Sequence, residues 1–242
     1  MDTIHLQNKG NTLIVAHRGM SGLETENTCA AFVAAGNRSH IGIETDVHKT
    51  ADGRFVVIHD DDTSRVGEIG IPVEGSTFDA LRAVRIKDKD GSLARADLMI
   101  PTLEEYIGIC RRYDKIAVLE FKNRFEDEDI AKVVSVIDEM GHLDKTIFIS
   151  FWYENLVSLK EQFPHLPAQF LTGERDDHEW LCAELASKGI DIDIQWGAVT
   201  KERVEMWHAA GLKVNCWTVD HPDDAARLIG MGVDYITSNI LE

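Results

Sequence analysis

Residues 201–217, KERVEMWHAAGLKVNCW, carry a helix, a glycine and a strand in immediate succession. Val204, Met206 and Trp207 mark the helix, and Thr200 just before it can cap the first turn. Gly211 follows; a glycine just past a helix end takes the left-handed conformation at little cost. Leu212 to Trp217 is β-rich and reads as a strand. The same order recurs at Met140-Gly141, Lys188-Gly189-Ile190 and Met231-Gly232-Val233. Each is the αβ half of a βαβ repeat.

Working outward, strands are expected at Leu13 to Ala16, Ile41 to Val47, Phe55 to Ile58, Ile116 to Phe121, Thr146 to Ser150, Ala168 to Leu171, Ile190 to Ile194, Lys213 to Trp217 and Asp234 to Thr237. Between them, Thr102-Leu103-Glu104-Glu105 is a capping box, Ile130, Val133, Val134, Ile137 and Met140 form a helical stripe, and Pro222 suits a helix start. Strands alternating with helices over this length predict an α/β fold, a (β/α)8 TIM barrel. One strand is surplus. The link from Val47 to Phe55 is too short for a parallel crossover and contains the turn Asp52-Gly53, so a hairpin is expected, with one arm outside the barrel. Residues 61–100 break the rhythm and read as a small cap-like insertion within a single domain spanning 1–242.

The chain has 242 residues, and 25 Lys and Arg against 42 Asp and Glu leave a formal charge of −17. So acidic a chain repels phosphate backbones and anionic lipid, which argues against nucleic-acid and membrane partners. The first ten residues have neither a basic nor an apolar leader region, and no apolar run reaches membrane-spanning length; a soluble, cytoplasmic protein is expected. Cys29, Cys110, Cys182 and Cys216 are widely spaced and read as reduced thiols.

Barrel enzymes act with side chains at the C-terminal strand ends. There the chain offers His17-Arg18-Gly19, Glu44-Thr45-Asp46, His59-Asp60 and Glu120-Phe121-Lys122. Glu44 and Asp46 share one strand face, as do Glu120 and Lys122. Folding the hairpin brings His59 opposite Glu44 or its near neighbour. Three carboxylates without a Cys or His ligand cluster suit Mg²⁺ or Ca²⁺. Two histidines beside such an ion suit acid–base work near neutral pH. Singly, each motif has a plainer reading as a loop, a solvated face or an ion pair; their joint placement at successive strand ends favours a site.

The chain resembles the glycerophosphodiester phosphodiesterase family, of the bacterial soluble type. The signature is His17-Arg18, Glu44-x-Asp46 and His59-Asp60. Similarity extends through Glu26-Asn27-Thr28, Arg65, Ile100-Pro101-Thr102-Leu103-Glu104-Glu105, Leu119-Glu120-Phe121-Lys122, Trp217-Thr218-Val219 and Gly232-Val233-Asp234. The last strand departs from the family's usual Thr-Asp then Pro with Thr237-Ser238-Asn239-Ile240, a change that touches no expected ligand.

The resemblance implies hydrolysis of a glycerophosphodiester to sn-glycerol 3-phosphate and an alcohol. It makes Glu44, Asp46 and Glu120 ligands of one divalent ion, Mg²⁺ or Ca²⁺, and His17 and His59 the acid and base. Arg18 and Lys122 would contact the phosphate. From the residues themselves, Trp217 ends a strand and reads either as lining the substrate pocket or as plain core, Glu26 is placed to orient Arg18, and Asn27 is expected to cap the first helix. In the mechanism expected here the glycerol 2-hydroxyl attacks phosphorus, with His59 as base and His17 as acid, and water opens the resulting cyclic phosphate. Which histidine acts first as base is not readable in the sequence. With the ion and two basic side chains the site comes near +1, matching a phosphodiester monoanion.

Rival readings are a lysophospholipase D or phospholipase C relative, disfavoured by polar, acidic exposed segments, and a non-catalytic binding protein, disfavoured because no signature group is missing. The sequence leaves open the preferred alcohol and the number of subunits, a homo-oligomer being one arrangement. His48 shares the face of Glu44 and Asp46 and is expected to be solvated or to support the site from behind. His5, His40, His142, His165, His178, His208 and His221 are expected at the surface.

Overall fold

A computed structural model describes residues 2–174 and 178–242. Its strands are β1 (Leu13–Ala16), β2 (Gly42–Lys49), β3 (Phe55–Val57), β4 (Ile116–Phe121), β5 (Thr146–Ser150), β6 (Ala168–Thr172), β7 (Asp191–Gln195), β8 (Val214–Trp217) and β9 (Tyr235–Ser238). Every expected strand is present, with ends moved by at most two residues. β1, β2, β4, β5, β6, β7, β8 and β9 pair in parallel in that order, and β9 returns to β1, closing the eight-stranded barrel.

The pleat divides each strand between two environments. Ile192 and Ile194 of β7 join the large outer core beneath the helices. Val15, Val118, Ile147, Ile149, Leu171 and Tyr235 form a separate cluster within the barrel. The surrounding helices are α1 (Cys29–Gly36), α3 (Leu103–Arg112), α4 (Asp127–Glu139), α5 (Tyr153–Gln162), α6 (His178–Lys188), α7 (Lys201–Ala209) and α8 (Pro222–Met231), while the short α2 (Phe78–Ala83) lies in the insertion. Thr102 caps α3 through the expected box: its hydroxyl accepts from Glu105 N at 3.0 Å, and its N–H donates to Glu105 at 2.8 Å. Thr200 accepts from Arg203 N at the start of α7, and Gly211 closes that turn with φ +82°. The cap of α1 is Thr28, not Asn27, whose side chain is committed elsewhere.

β3 runs antiparallel to β2, with Val57 opposite Val47, and is outside the closed ring. From Ile58 onward the chain builds a second small core of Val56, Ile58, Val73, Leu81, Val84, Ile86, Leu98 and Ile100. The 61–100 segment is therefore packed on the hairpin.

Three histidines expected at the surface are buried: His40, His142 and His178. His40 Nε2 lies 2.9 Å from Leu241 O and His142 Nε2 2.9 Å from Lys115 O, so each ring joins two chain segments; His178 packs edge-on against Trp207. His5, His165, His208 and His221 are exposed. All four cysteines are free thiols.

Candidate active site

β2 turns Glu44 and Asp46 inward, and the register places Asp46 beside Glu120 of β4. One oxygen from each of Glu44, Asp46 and Glu120 lies within 4.8 Å of the others, and all three residues are buried. Cations bracket them. Lys122 Nζ is 3.0 Å from Glu120 Oε1 and 3.4 Å from Asp46 Oδ1, while Arg18 Nε is 3.6 Å from Asp46 Oδ2. The backbone N–H of Arg18 donates to Glu44 Oε2 at 2.7 Å. Arg18 is held from behind by Glu26, at 2.8 Å, as the sequence suggests. Asn27 donates to Asp46 Oδ2 at 2.7 Å and accepts from Thr45 at 2.6 Å; here is the commitment that removes it from capping.

Three carboxylates in so little space cannot all ionise cheaply. Burial and the neighbouring Asp46 push Glu120 up to about 8 and raise Glu44 well above its ordinary range. Burial would raise Asp46 as well, but Lys122, Arg18 and His59 hold it well below. Asp46 Oδ1 and Glu120 Oε1, though within ion-pair distance of Lys122, accept no well-directed hydrogen bond. Buried oxygens left open in an all-carboxylate cluster fit a hard divalent cation.

Both histidines reach the same cavity of about 150 Å³ at the C-terminal mouth of the barrel. His17 Nδ1 lies 2.8 Å from Asn239 Oδ1, and its Nε2 stands 4.0 Å from Glu44 Oε2. Asn239 is held in turn by Asp220, its side-chain N–H donating at 2.6 Å and its backbone N–H at 2.8 Å. His59 Nδ1 lies 2.7 Å from Asp60 Oδ1, and Arg65 donates from the other side to Asp60 and Glu26. In both rings the partner oxygen fixes the proton on Nδ1 and leaves Nε2 to act. Burial and Arg18 push His17 down to about 4, and burial lowers His59 too, against the pull of Asp46.

The opposite wall of the cavity is apolar: Ile149, Phe151, Leu171 and Trp217, with Phe151 and Trp217 meeting edge to face at 5.5 Å. Trp217 thus lines this cavity. His48 does not; fully buried, it meets Glu74 at 3.2 Å and the His59 carbonyl at 3.4 Å, behind the site and away from solvent. A larger cavity of about 410 Å³ opens at the other end of the barrel, but among the described residues it contains no comparable carboxylate cluster. Chemistry, not size, distinguishes the two.

Sequence reasoning passed over Asn239, Asp220 and Asp193. Asn239 follows β9 directly and so sits at a strand end, but its contact with His17 depends on ring closure and leaves no local signal.

The model of the glycerophosphoryl diester phosphodiesterase family matches residues 17–241. The chain belongs to that family. It is an enzyme of glycerophosphodiester hydrolysis. A glycerophosphodiester phosphodiesterase of Caldanaerobacter subterraneus subsp. tengcongensis is 31% identical over 94% of each chain. The solved phosphodiesterase of Oleispira antarctica, in complex with the product sn-glycerol-3-phosphate, superposes with a TM-score of 0.87 at 28% identity, covering 94% of this enzyme and 93% of that chain. A glycerophosphodiester phosphodiesterase from Parabacteroides distasonis gives a TM-score of 0.78 at 26% identity, covering 96% and 94%. Among the described residues of the enzyme, no helix is long and apolar enough to cross a membrane.

Proposed function

We propose that the enzyme releases sn-glycerol 3-phosphate from small glycerophosphodiesters, with Glu44, Asp46 and Glu120 holding one divalent ion, Mg²⁺ or Ca²⁺, and His17 and His59 as acid and base. What carries the reading is that two oriented histidines line one cavity with Glu44 and Glu120, and that Asp46 completes a buried three-carboxylate cluster with those two. When bound, the ion would neutralise charge on the phosphoryl oxygens and make a coordinated hydroxyl more acidic.

The side chains do the rest. Arg18 and Lys122 receive the phosphodiester anion. His59, its Nδ1–H donating to Asp60, presents a lone pair on Nε2 and takes the proton of the glycerol 2-hydroxyl as that oxygen attacks phosphorus. His17 has an oxygen near each nitrogen, Asn239 Oδ1 and Glu44 Oε2, an environment suited to a ring that carries two protons. It protonates the departing alkoxide. Burial and Arg18 push His17 down to about 4, so this role requires the substrate's negative charge to restore its basicity. Water then opens the cyclic phosphate with the histidines exchanging roles. Glu26 and Asn27 act by fixing Arg18 and Asp46.

The test is release of sn-glycerol 3-phosphate from glycerophosphocholine, glycerophosphoethanolamine and glycerophosphoglycerol, with and without chelator, by wild type and Glu44→Ala. Activity lost in the variant and with chelator is the expected result; chelator-insensitive turnover would overturn the metal assignment. Normal turnover of a 2-deoxy diester would overturn the cyclic route.

A further inference from the structure

Asp193 lies on β7, fifth in line from β2 around the closed ring and thus across the barrel from the strand that carries Glu44 and Asp46. The pleat sends Ile192 and Ile194 outward to the helices and Asp193 inward, into the floor of the catalytic cavity. It is 2% exposed. Asn215 of β8 donates to Asp193 Oδ2 at 3.2 Å and to Gln169 Oε1 at 3.0 Å, and accepts from Thr237 at 3.3 Å. These bonds fix the carboxyl in orientation. Its other oxygen, Oδ1, is buried and has no partner. The surrounding wall, Leu171, Ile149, Phe151 and Trp217, offers it no cation.

We propose that Asp193 Oδ1 is the contact for the terminal hydroxyl of the substrate's glycerol unit, so that Asp193 restricts the enzyme to diesters whose glycerol is not acylated. The proposal rests on the glycerophosphodiester reading above. With the phosphate drawn to Arg18 and Lys122 on one wall, the three-carbon glycerol extends over Phe151 and Trp217 towards the other. Its far end is a hydroxyl arriving where an unpartnered polar atom, Asp193 Oδ1, waits. An unpaired buried carboxyl oxygen is destabilising, a cost offset when the substrate supplies the missing partner. Burial also raises Asp193 well above the ordinary carboxylate range, in the direction of the neutral carboxyl. A neutral carboxyl pairs with a hydroxyl as donor or acceptor, without needing a cation. An acyl ester at that hydroxyl has no O–H to give, and its chain would meet a floor closed by Asn215 and Gln169.

The experiment compares kcat/KM for sn-glycero-3-phosphocholine with that for propane-1,2-diol 1-phosphocholine, which keeps the 2-hydroxyl and lacks the terminal one, and with that for lysophosphatidylcholine. Wild type is expected to prefer the first by a factor on the order of 100 or more, because a site built to bond a hydroxyl rejects analogues without it. Asp193→Leu should narrow the ratio of the first two substrates to a few-fold, and Asp193→Asn, which keeps a pairing atom, should retain most of it. Equal losses on both substrates would assign Asp193 to structure alone and overturn the proposal. So would a wild type that does not discriminate. As a measurement needing no variant, sn-glycerol 3-phosphate should bind wild type more tightly than propane-1,2-diol 1-phosphate; equal affinities overturn the proposal. Wild type inactive on every glycerophosphodiester would overturn the underlying reading with it, whereas turnover of these diesters without the hydroxyl preference overturns this inference alone.

Discussion

His17 and Asn239 are 222 positions apart in sequence, and their side chains meet at 2.8 Å, with Asp220 bracing the far side of the amide. The amide oxygen dictates which ring nitrogen of His17 is free. Asn239→Ala should therefore lower kcat about 10- to 100-fold, with little change in KM, because the ring loses its orientation while the phosphate contacts remain. Steady-state kinetics decide; an unchanged kcat would remove Asn239 from the catalytic assembly.

Ion binding should release protons. Glu120 stays protonated up to about 8 and Glu44 is raised as well. A divalent cation must displace what they hold, so affinity should rise about tenfold per pH unit between 6 and 8 for one displaced proton. Calorimetry in buffers of different ionisation enthalpy measures the proton count directly. No pH dependence in that window would mean the carboxylates already stand ionised.

The same proton sets the stability of the metal-free protein. Folded Glu120 holds a proton up to about 8 and unfolded Glu releases it near 4.5, so over pH 7 to 9 the folded state binds more protons and stability falls as pH rises. The loss is about 1 kcal/mol. His17 and His40, both pushed down to about 4, act in the opposite direction, but only below the ordinary histidine value of 6.5. Glu120→Gln should flatten the decline between pH 7 and 9, read by thermal unfolding in the presence of chelator; a slope identical to wild type would assign it to other groups.

Gly19 has φ +75°, and a Cβ there would stand 2.7 Å from the Ala31 backbone carbon. The left-handed backbone and the collision with α1 together predict that Gly19→Ala destabilises by about 2–4 kcal/mol. Denaturant unfolding checks it, and a loss below about 0.5 kcal/mol would mean that the turn relaxes freely.

Arg65 should matter less. Its bonds to Asp60 and Glu26 are half-exposed, so Arg65→Ala is expected to cost under about 1 kcal/mol of stability. Burial raises Asp60, but the bonds from Arg65 and His59 hold it down to about 2. The bond between Asp60 and His59 remains when Arg65 is removed, so kcat should fall by only a few-fold. A loss comparable to that of His59→Ala would show that the arginine acts on the chemistry directly.

The barrel was legible because each glycine after a helix and each β-rich run is a local signal, and the pleat carries Glu44 and Asp46 to one face whatever surrounds them. The five signature groups were legible for the same reason, since they lie in short motifs at strand ends. The supports were not. Asn239 reaches His17 only when the ring closes β9 against β1, a fact absent from any local window. Histidine type alone likewise says nothing of the cavities that swallow His40 and His142. A lone aspartate between isoleucines reads as a solvated face until closure turns that face inward, and so Asp193 escaped notice.

The small core of the 61–100 segment includes Val56 and Ile58, the latter immediately preceding His59, and is distinct from the core beneath the barrel helices. Two cores allow two cooperative units, so this segment can open and exchange its amide hydrogens while the barrel remains closed. Because its packing fixes the backbone leading into a catalytic histidine, a fluctuation there is also a fluctuation of the base, and exchange rates in 61–100 should track turnover more closely than the global melting temperature does.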